Sequence, residues 1–161
     1  MKYLIRKAES GDIDRLIDLR KILLSEGDGH YVSKSHEEDL AWQKNYRTWL
    51  LKNMNEHDRI LVAVANDPDQ LKIVACAIGI IDVRAPMTGC LNGKSGWIQT
   101  VVVDPGERRK GIAESVMNYC FDWFKRHHVE KIVLQTTPMA KDLYIKLGFE
   151  NSGEDLLFKE L

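Results

Sequence analysis

The sequence predicts an α/β fold, a mixed sheet flanked by helices, and two observations support this prediction. Apolar residues alternate between helical spacing and continuous strand-like runs, which gives the order β-α-α-β-β-β-α-β-α-β. The chain has 161 residues, of which 44% are apolar, enough for one domain to bury a core of its own. Residues 1–161 are therefore predicted to form a single domain.

The first half of the chain contains two predicted helices. After a short strand at residues 2–7, Asp12 begins a helix whose apolar residues recur at helical spacing until Gly27. Ser35 is suited to cap the second helix because Glu38 stands three residues later, as in a capping box. The apolar members of the second helix are Leu40, Trp42, Tyr46, Trp49 and Leu50. Its aromatic residues either pack in the core or form the wall of a binding site.

Strands and helices alternate in the second half of the chain. Runs rich in Val and Ile indicate strands, and clusters of Asn, Asp, Pro and Gly mark the turns between them. Gly148 is placed to end the last helix. We predict strands at 60–65, 72–83, 97–103 and 131–135, helices at 109–127 and 138–147, and one or two closing strands within 149–159.

Charge and cysteine content limit the classes of function. The 23 Lys and Arg residues balance the 24 Asp and Glu residues to a net charge of −1, which disfavours nucleic acid as a partner. The three cysteines form no C-x-x-C pair and indicate neither a disulfide framework nor a metal site. The longest apolar run, 73–81, is far shorter than the ~20 residues that span a membrane. We therefore expect a cytoplasmic protein without a signal peptide, a membrane partner or a metal.

A strand, a turn and a helix start follow one another between residues 97 and 113, an arrangement that binds anions. The first N–H groups of a helix have no internal partner, and the helix dipole adds partial positive charge beside them. A basic helix end on a solvated surface is the alternative interpretation. The turn lacks the residue order of a Walker loop and the three glycines of a Rossmann fingerprint. The candidate anion-binding residues are Arg108, Arg109, Lys110, Gly111, Ile112 and Ala113.

Two motifs make the chain similar to a known family. The run from Arg108 to Ala113 has the pattern Arg-x-x-Gly-x-Ala and resembles motif A of the GNAT superfamily of acyl-CoA N-acyltransferases. The later run from Ala140 to Phe149 resembles motif B, Ala-x-x-Leu-Tyr-x-x-Leu-Gly-Phe, at all six named positions. The resemblance implies a GNAT-type sheet, mixed but mostly antiparallel, with splayed central strands.

The resemblance also implies roles for particular residues. Backbone N–H groups from Arg108 to Ala113 would hold the diphosphate of acetyl-CoA, and Tyr144 would protonate the departing CoA thiolate. The strand before the turn would carry a bulge and splay from 131–135. Thr137 stands where many relatives have Asn, so no role is predicted for it. The strand residues expected beside the pantetheine arm are Val101, Val102 and Val103.

The function that the resemblance implies is direct transfer of an acetyl group from acetyl-CoA to a primary amine of a small molecule or peptide. Two alternatives remain. One is a non-catalytic acyl-CoA-binding module of the same fold, and the other is a nucleic-acid-binding domain that uses the cationic run, which the net charge disfavours. The sequence leaves monomer and homodimer both open, and it does not identify the acceptor.

No motif places the general base. An amine of pKa near 10 is only about 0.1% neutral at pH 7, so a base or a proton-carrying water chain would help the reaction. The acidic loop at 26–39 is hypothesised to attract a cationic amine. In a fold of this family the loop and helix that flank the acceptor site carry the candidates Glu26, Asp28, His30, Glu37 and Glu38, and two further candidates, Asp82 and Gln99, lie on strands.

Overall fold

A five-stranded sheet organises the chain in the computed structural model, which describes residues 2–26, 31–54, 56 and 58–161. The strand order is β1-β2-β3-β4-β5, with antiparallel pairing from β1 to β4 and parallel pairing between β4 and β5. This arrangement confirms the predicted mixed, mostly antiparallel sheet. The strands are β1 (Leu4–Lys7), β2 (Ile60–Asp67), β3 (Lys72–Val83), β4 (Lys94–Val103) and β5 (Lys131–Leu134). The helices are α1 (Ile13–Ser25), α2 (His36–Asn53), α3 (Ile112–Arg126) and α4 (Lys141–Lys146), with single 3-10 turns at Ser10–Asp12 and Pro105–Glu107.

The core consists of two buried clusters on opposite faces of the sheet. Successive side chains of a strand point to opposite faces, and β2 shows the division directly. Leu61 and Ala63 belong to the cluster under α3, whereas Val62 and Val64 belong to the cluster under α1 and α2. We call these the α3-side cluster and the α1/α2-side cluster. The two regions of the candidate site described below lie on different clusters.

The boundaries differ from the prediction in the second half. The helix predicted at 109–127 begins only at Ile112, because Gly111 has a left-handed backbone with φ of 76°. The helix predicted at 138–147 is shorter and comprises α4 alone. The closing strands predicted within 149–159 are wrong, since residues 149–161 contain no strand. Polar residues and a glycine at 151–155 interrupt the apolar pattern and leave only a short apolar run that does not alternate.

A β-bulge in β4 changes which side chains face α1. Cys76 pairs with Val102 but Ile78 pairs with Gln99, so β4 has one more residue than β3 over this interval. Thr100 takes the strained position, with φ of 58°. In a regular strand Gln99 and Thr100 would face opposite sides of the sheet. Here both face the α1/α2 side, because Arg20 of α1 binds Thr100 and shares a cleft with Gln99.

Candidate active site

The sheet opens beside β4 at the bulge. Parallel pairing between β4 and β5 ends at Ile98 and Leu134, while β4 continues to Val103. Over the described residues, the β4 segment after Ile98 therefore has no strand neighbour on its β5 side. This topology confirms the expected bulge and splay. An open strand edge presents N–H and C=O groups that an extended ligand can bind.

The three valines predicted to contact pantetheine lie on this open segment. Val101 and Val103 pack against the α3-side cluster, and Val102 is buried in the α1/α2-side cluster. Their side chains are therefore used in packing. Any contact with an extended ligand is left to their backbone groups, as the prediction requires, and the contact itself stays a prediction.

The turn at residues 108–113, here called the diphosphate turn, leads from β4 into α3. Gly111 caps the helix, and a Cβ added there would meet no atom within 4 Å, so the space above the helix start is open. The backbone N–H groups of Arg109, Lys110 and Gly111 donate to no described residue. The first N–H groups of α3 also lack intrahelical acceptors. These donors together form a cradle suited to an anion.

The three cations of the turn are not equivalent. Arg108 donates to Glu26 at 2.7 and 2.8 Å and to the Val103 carbonyl at 3.2 Å. Lys110 donates to Glu107 at 2.8 Å. Arg109 has no ion-pair partner among the described residues and is exposed. The sequence suggested that all three contribute charge to an anion, whereas the structure leaves only Arg109 unneutralised.

Asp104 anchors the turn to the rest of the fold. Its carboxylate accepts hydrogen bonds from Arg15 of α1, from Lys72 of β3 at 3.1 Å and from the Gly106 N–H at 3.1 Å. Burial alone would raise the pKa of Asp104, but these hydrogen bonds outweigh it and hold the pKa below its usual value. The end of β4 is thereby tied to both neighbouring elements.

Tyr144 lies on α4, which follows the segment that leaves β5. Its side chain is 7% exposed, and its ring meets the Phe149 ring edge-on at a centroid distance of 6.0 Å. Burial raises the pKa of the Tyr144 phenol, so the group keeps its proton at neutral pH. That protonation state is the one that a general acid requires. Its assignment as the acid stays a prediction.

A cleft of about 330 Å³ opens on the other face of the sheet, between α1, α2 and the bulge. Two features of it were not predicted from the sequence, namely the presence of Arg20 and the contribution of the bulge. We call it the aromatic cleft. Its lining residues are Arg20, Leu24, Trp42, Asn45, Tyr46, Trp49, Ile78 and Gln99.

The aromatic residues of α2 form one wall of this cleft. Tyr46 stands between Trp42 and Trp49, with ring centroids 6.4 and 6.3 Å away. The two Trp side chains are half-buried and line the cleft, whereas Tyr46 is buried. The sequence allowed this stripe to be a binding-site wall or part of the core. The two Trp side chains form a wall of the cleft, whereas most of the Tyr46 side chain belongs to the core. Burial raises the pKa of the Tyr46 phenol far above its usual range.

The candidate bases are distributed in several places. Glu26 is paired with Arg108, and the Glu38 carboxylate accepts from the Lys34 N–H at 2.7 Å rather than from the Ser35 N–H that a capping box would use. Asp82 pairs with Arg84 at 3.2 Å, and Glu37 is exposed on α2. Asp28 and His30 lie outside the described residues. Gln99 alone of the candidates lines the aromatic cleft, and no carboxylate of the described residues does so.

Three further features of the described part of the chain are its potential metal ligands, its buried thiols and the length of its helices. No cluster of His, Cys, Asp and Glu there is arranged to hold a metal ion. Burial raises the pKa of the Cys76 and Cys120 thiols to about 12, so neither is a thiolate near neutral pH. No described helix is long and apolar enough to cross a membrane.

Comparison with known proteins identifies the class to which this fold and site belong. Residues 13–149 match the acetyltransferase (GNAT) family, and the chain belongs to that family. A curated relative from Oryza sativa subsp. japonica, described as a probable glucosamine 6-phosphate N-acetyltransferase 2, is 31% identical over 97 residues. The match covers 60% of this chain and 57% of the relative, so it spans little more than half the length of that protein.

Two solved structures show the likeness over almost the whole chain. A predicted acetyltransferase from Clostridium acetobutylicum, solved with acetyl-CoA, has a TM-score of 0.80 at 22% identity and covers 98% of this chain and 96% of its own. Glucosamine-6-phosphate N-acetyltransferase from Arabidopsis thaliana has a TM-score of 0.70 at 25% identity, with 99% of each chain covered. The first likeness shows the fold, which is the one predicted from the two motifs.

Proposed function

We propose that this protein is an N-acetyltransferase that moves the acetyl group of acetyl-CoA directly to a primary amine of a small molecule or peptide. The observation that carries the proposal is the position of the open edge of β4. Its bulged part, at Gln99 and Thr100, borders the aromatic cleft. Its last residue, Val103, leads into the diphosphate turn. A donor held by the turn and an acceptor held by the cleft therefore meet along one strand.

The donor half of the site binds through backbone groups. The free N–H groups of the diphosphate turn would receive the diphosphate, and Arg109 would add the one cation of the turn that has no described ion-pair partner. The pantetheine arm would extend β4 by pairing with the backbone of Val101–Val103. Residues 1–161 would act as one domain, with no metal in the reaction.

The reaction then needs three events at the thioester. The amine nitrogen attacks the carbonyl carbon, so that a C–N bond forms and the C–S bond breaks. A backbone N–H of the open β4 edge stabilises the charge that develops on the carbonyl oxygen. The thiolate of CoA takes the proton of the Tyr144 hydroxyl, and the proton of the amine leaves to a base or to water. Water then returns a proton to Tyr144.

The relatives and the family each support a different part of this proposal. A curated relative is named as an N-acetyltransferase of an amino sugar phosphate, and a structural neighbour was solved with acetyl-CoA. Membership of the acetyltransferase family supports acetyl transfer as the reaction. The acceptor is addressed separately below.

Calorimetric titration with acetyl-CoA tests the donor site. We expect a micromolar Kd for the wild type and no binding for Gly111→Glu, which places a carboxylate in the open space above the helix start. Gly153→Glu is the matched control, because φ is 76° at Gly111 and 77° at Gly153 and a Cβ meets nothing within 4 Å at either. Both substitutions carry the same backbone strain of about 1–2 kcal/mol.

Loss of binding in both variants, or in neither, would contradict the assigned diphosphate turn. Turnover is measured in the same preparation by release of CoA thiol, detected with Ellman's reagent, across a panel of amines. A protein that binds acetyl-CoA but acetylates no amine would instead be the non-catalytic binding module.

A further inference from the structure

The side chain of Arg20 has an unusual position on the wall of the aromatic cleft. It is half-buried, its guanidinium lies 4.7 Å from the centre of the Tyr46 ring, and its Nη1 donates to Thr100 Oγ1. No carboxylate of the described residues lies within ion-pair distance of it. A guanidinium has five N–H donors, and the bond to Thr100 uses one of them.

The surroundings of Arg20 favour a negatively charged ligand. Among the described residues that line the cleft it is the one charged side chain, and aromatic rings form the wall beside it. Such a wall lowers the local dielectric, so the attraction between Arg20 and an anion is stronger than in open water. The fork of a guanidinium matches the two oxygens of a carboxylate or phosphate. The amides of Asn45 and Gln99 line the same cleft and can supply further donors.

The bulge fixes this cation relative to the site of reaction. Thr100 is the strained residue of the bulge and the anchor for Arg20, and the next residue begins the segment proposed to bind pantetheine. An anion held on Arg20 would therefore lie beside the end of the donor arm. A bare cationic amine would be repelled from the same place.

On the basis of the proposed acetyl transfer, we infer that the natural acceptor is an amine that also carries an oxyanion, a carboxylate or a phosphate, and that Arg20 binds this oxyanion. Arg20 then determines specificity by attracting one end of the acceptor while the amine at its other end reaches the thioester. Carboxylate and phosphate share this chemistry, and the two arms of the test below separate them.

Matched pairs of acceptors test the inference in the 161-residue protein. Glucosamine 6-phosphate is compared with glucosamine for phosphate, and phenylalanine with phenylalaninamide for carboxylate. For at least one pair we expect the compound with the oxyanion to have a kcat/KM, calculated for the unprotonated amine, about 10- to 100-fold higher than the compound without it, the range typical of a hydrogen-bonded charge pair. The arm that shows the preference identifies the oxyanion.

Two variants assign the preference to Arg20. Arg20→Gln is expected to raise the KM of the anionic member, so that the kcat/KM values of the two members become nearly equal. Arg20→Lys keeps the positive charge and is expected to retain part of the preference. Arg126→Gln, an equal change of charge at an exposed position on α3, should leave the preference intact. Thermal unfolding checks that each variant is folded.

Calorimetry of the same compounds with the CoA-bound protein gives a second reading that does not need turnover. Tighter binding of the anionic members that is lost in Arg20→Gln supports the inference, even if no compound is acetylated. In that case the proposed function is contradicted and the inference about Arg20 is not. Equal binding of anionic and neutral members, or an equal loss for both in Arg20→Gln, overturns the inference while acetyl transfer to another amine keeps the function.

Discussion

Replacing Tyr144 by Phe removes one hydroxyl group and leaves the packing around it in place. The ring is 7% exposed and meets Phe149 edge-on, and both the burial and the ring contact persist in the variant. The hydroxyl has no hydrogen-bond partner among the described residues. We therefore expect the free energy of unfolding to change by less than about 1 kcal/mol. In a protein of this size that corresponds to a Tm shift of no more than about 4 °C.

The rate should respond much more strongly than the stability. A positioned general acid contributes typically about 10²- to 10⁴-fold to a reaction. The thiol of CoA has an ordinary pKa near 8.5, whereas burial holds the pKa of Tyr144 above the ordinary phenol value near 10. Complete transfer of the proton is uphill by at least about 2 kcal/mol, which places the contribution at the lower end. We expect kcat to fall about 100-fold in Tyr144→Phe, with less than about a threefold change in the Kd for acetyl-CoA.

The assay combines thiol release, which gives kcat, with calorimetry, which gives the Kd. Tyr119→Phe is the matched control, because it removes the same group from a half-buried tyrosine of α3. Since burial raises the pKa of Tyr144, the wild type should lose activity only at a pH above the range in which an ordinary phenol titrates, and the variant should lack this alkaline limb. An unchanged kcat in Tyr144→Phe, or an equal loss in the control, would refute the assignment.

Two further predictions concern stability. In Tyr46→Phe, thermal unfolding should show a Tm that is unchanged or higher by up to about 3 °C. The buried Tyr46 hydroxyl has no hydrogen-bond partner among the described residues, so its removal ends a desolvation cost of about 1 kcal/mol. A clear fall in Tm would indicate that the hydroxyl has a partner. In Asp104→Asn, loss of the charge-assisted bonds should cost about 1–2 kcal/mol near pH 7. Because the pKa of Asp104 is lowered in the folded protein, this stabilisation is present above about pH 4 and is lost as the pH falls through the lowered pKa. The difference in Tm between the variant and the wild type should therefore narrow in acid. An equal difference at about pH 2.5 and at about pH 7 would contradict the prediction.

The features that sequence reasoning predicted are those set by residues close together in the chain. The strand, turn and helix start predicted between residues 97 and 113 are present, although α3 begins three residues later than predicted, at Ile112, because Gly111 adopts a left-handed backbone. Ser35 caps α2 by accepting from the Glu38 N–H at 3.1 Å, as the capping box predicted. Each of these follows from contacts between neighbours in sequence, so a local pattern is enough to foresee it.

The features that it missed depend on contacts between distant residues. Arg108 and Glu26 are 82 positions apart, and Arg20 and Thr100 are 80 apart. No local pattern links such partners, so neither the neutralisation of Arg108 nor the cation of the cleft could be foreseen. The aromatic stripe of α2 was ambiguous for the same reason, because its role depends on which side of the sheet α2 covers. The bulge itself was expected from the resemblance to the family, and the hydrophilic pair Gln99-Thr100 within the otherwise apolar run 97–103 marks its position.

The two buried clusters on opposite faces of the sheet bear on how such a protein can acquire new specificity. The diphosphate turn continues into α3 on one cluster, whereas the aromatic cleft stands over the other. Residues without shared partners contribute nearly additively to stability. On the proposed function, variation in α2 and at the cleft-lining positions of α1 would change the acceptor and leave the donor half unchanged, whereas Arg15 of α1 has to be kept because it anchors Asp104 beside the diphosphate turn. A library confined to those positions is the direct way to redirect the protein toward another amine.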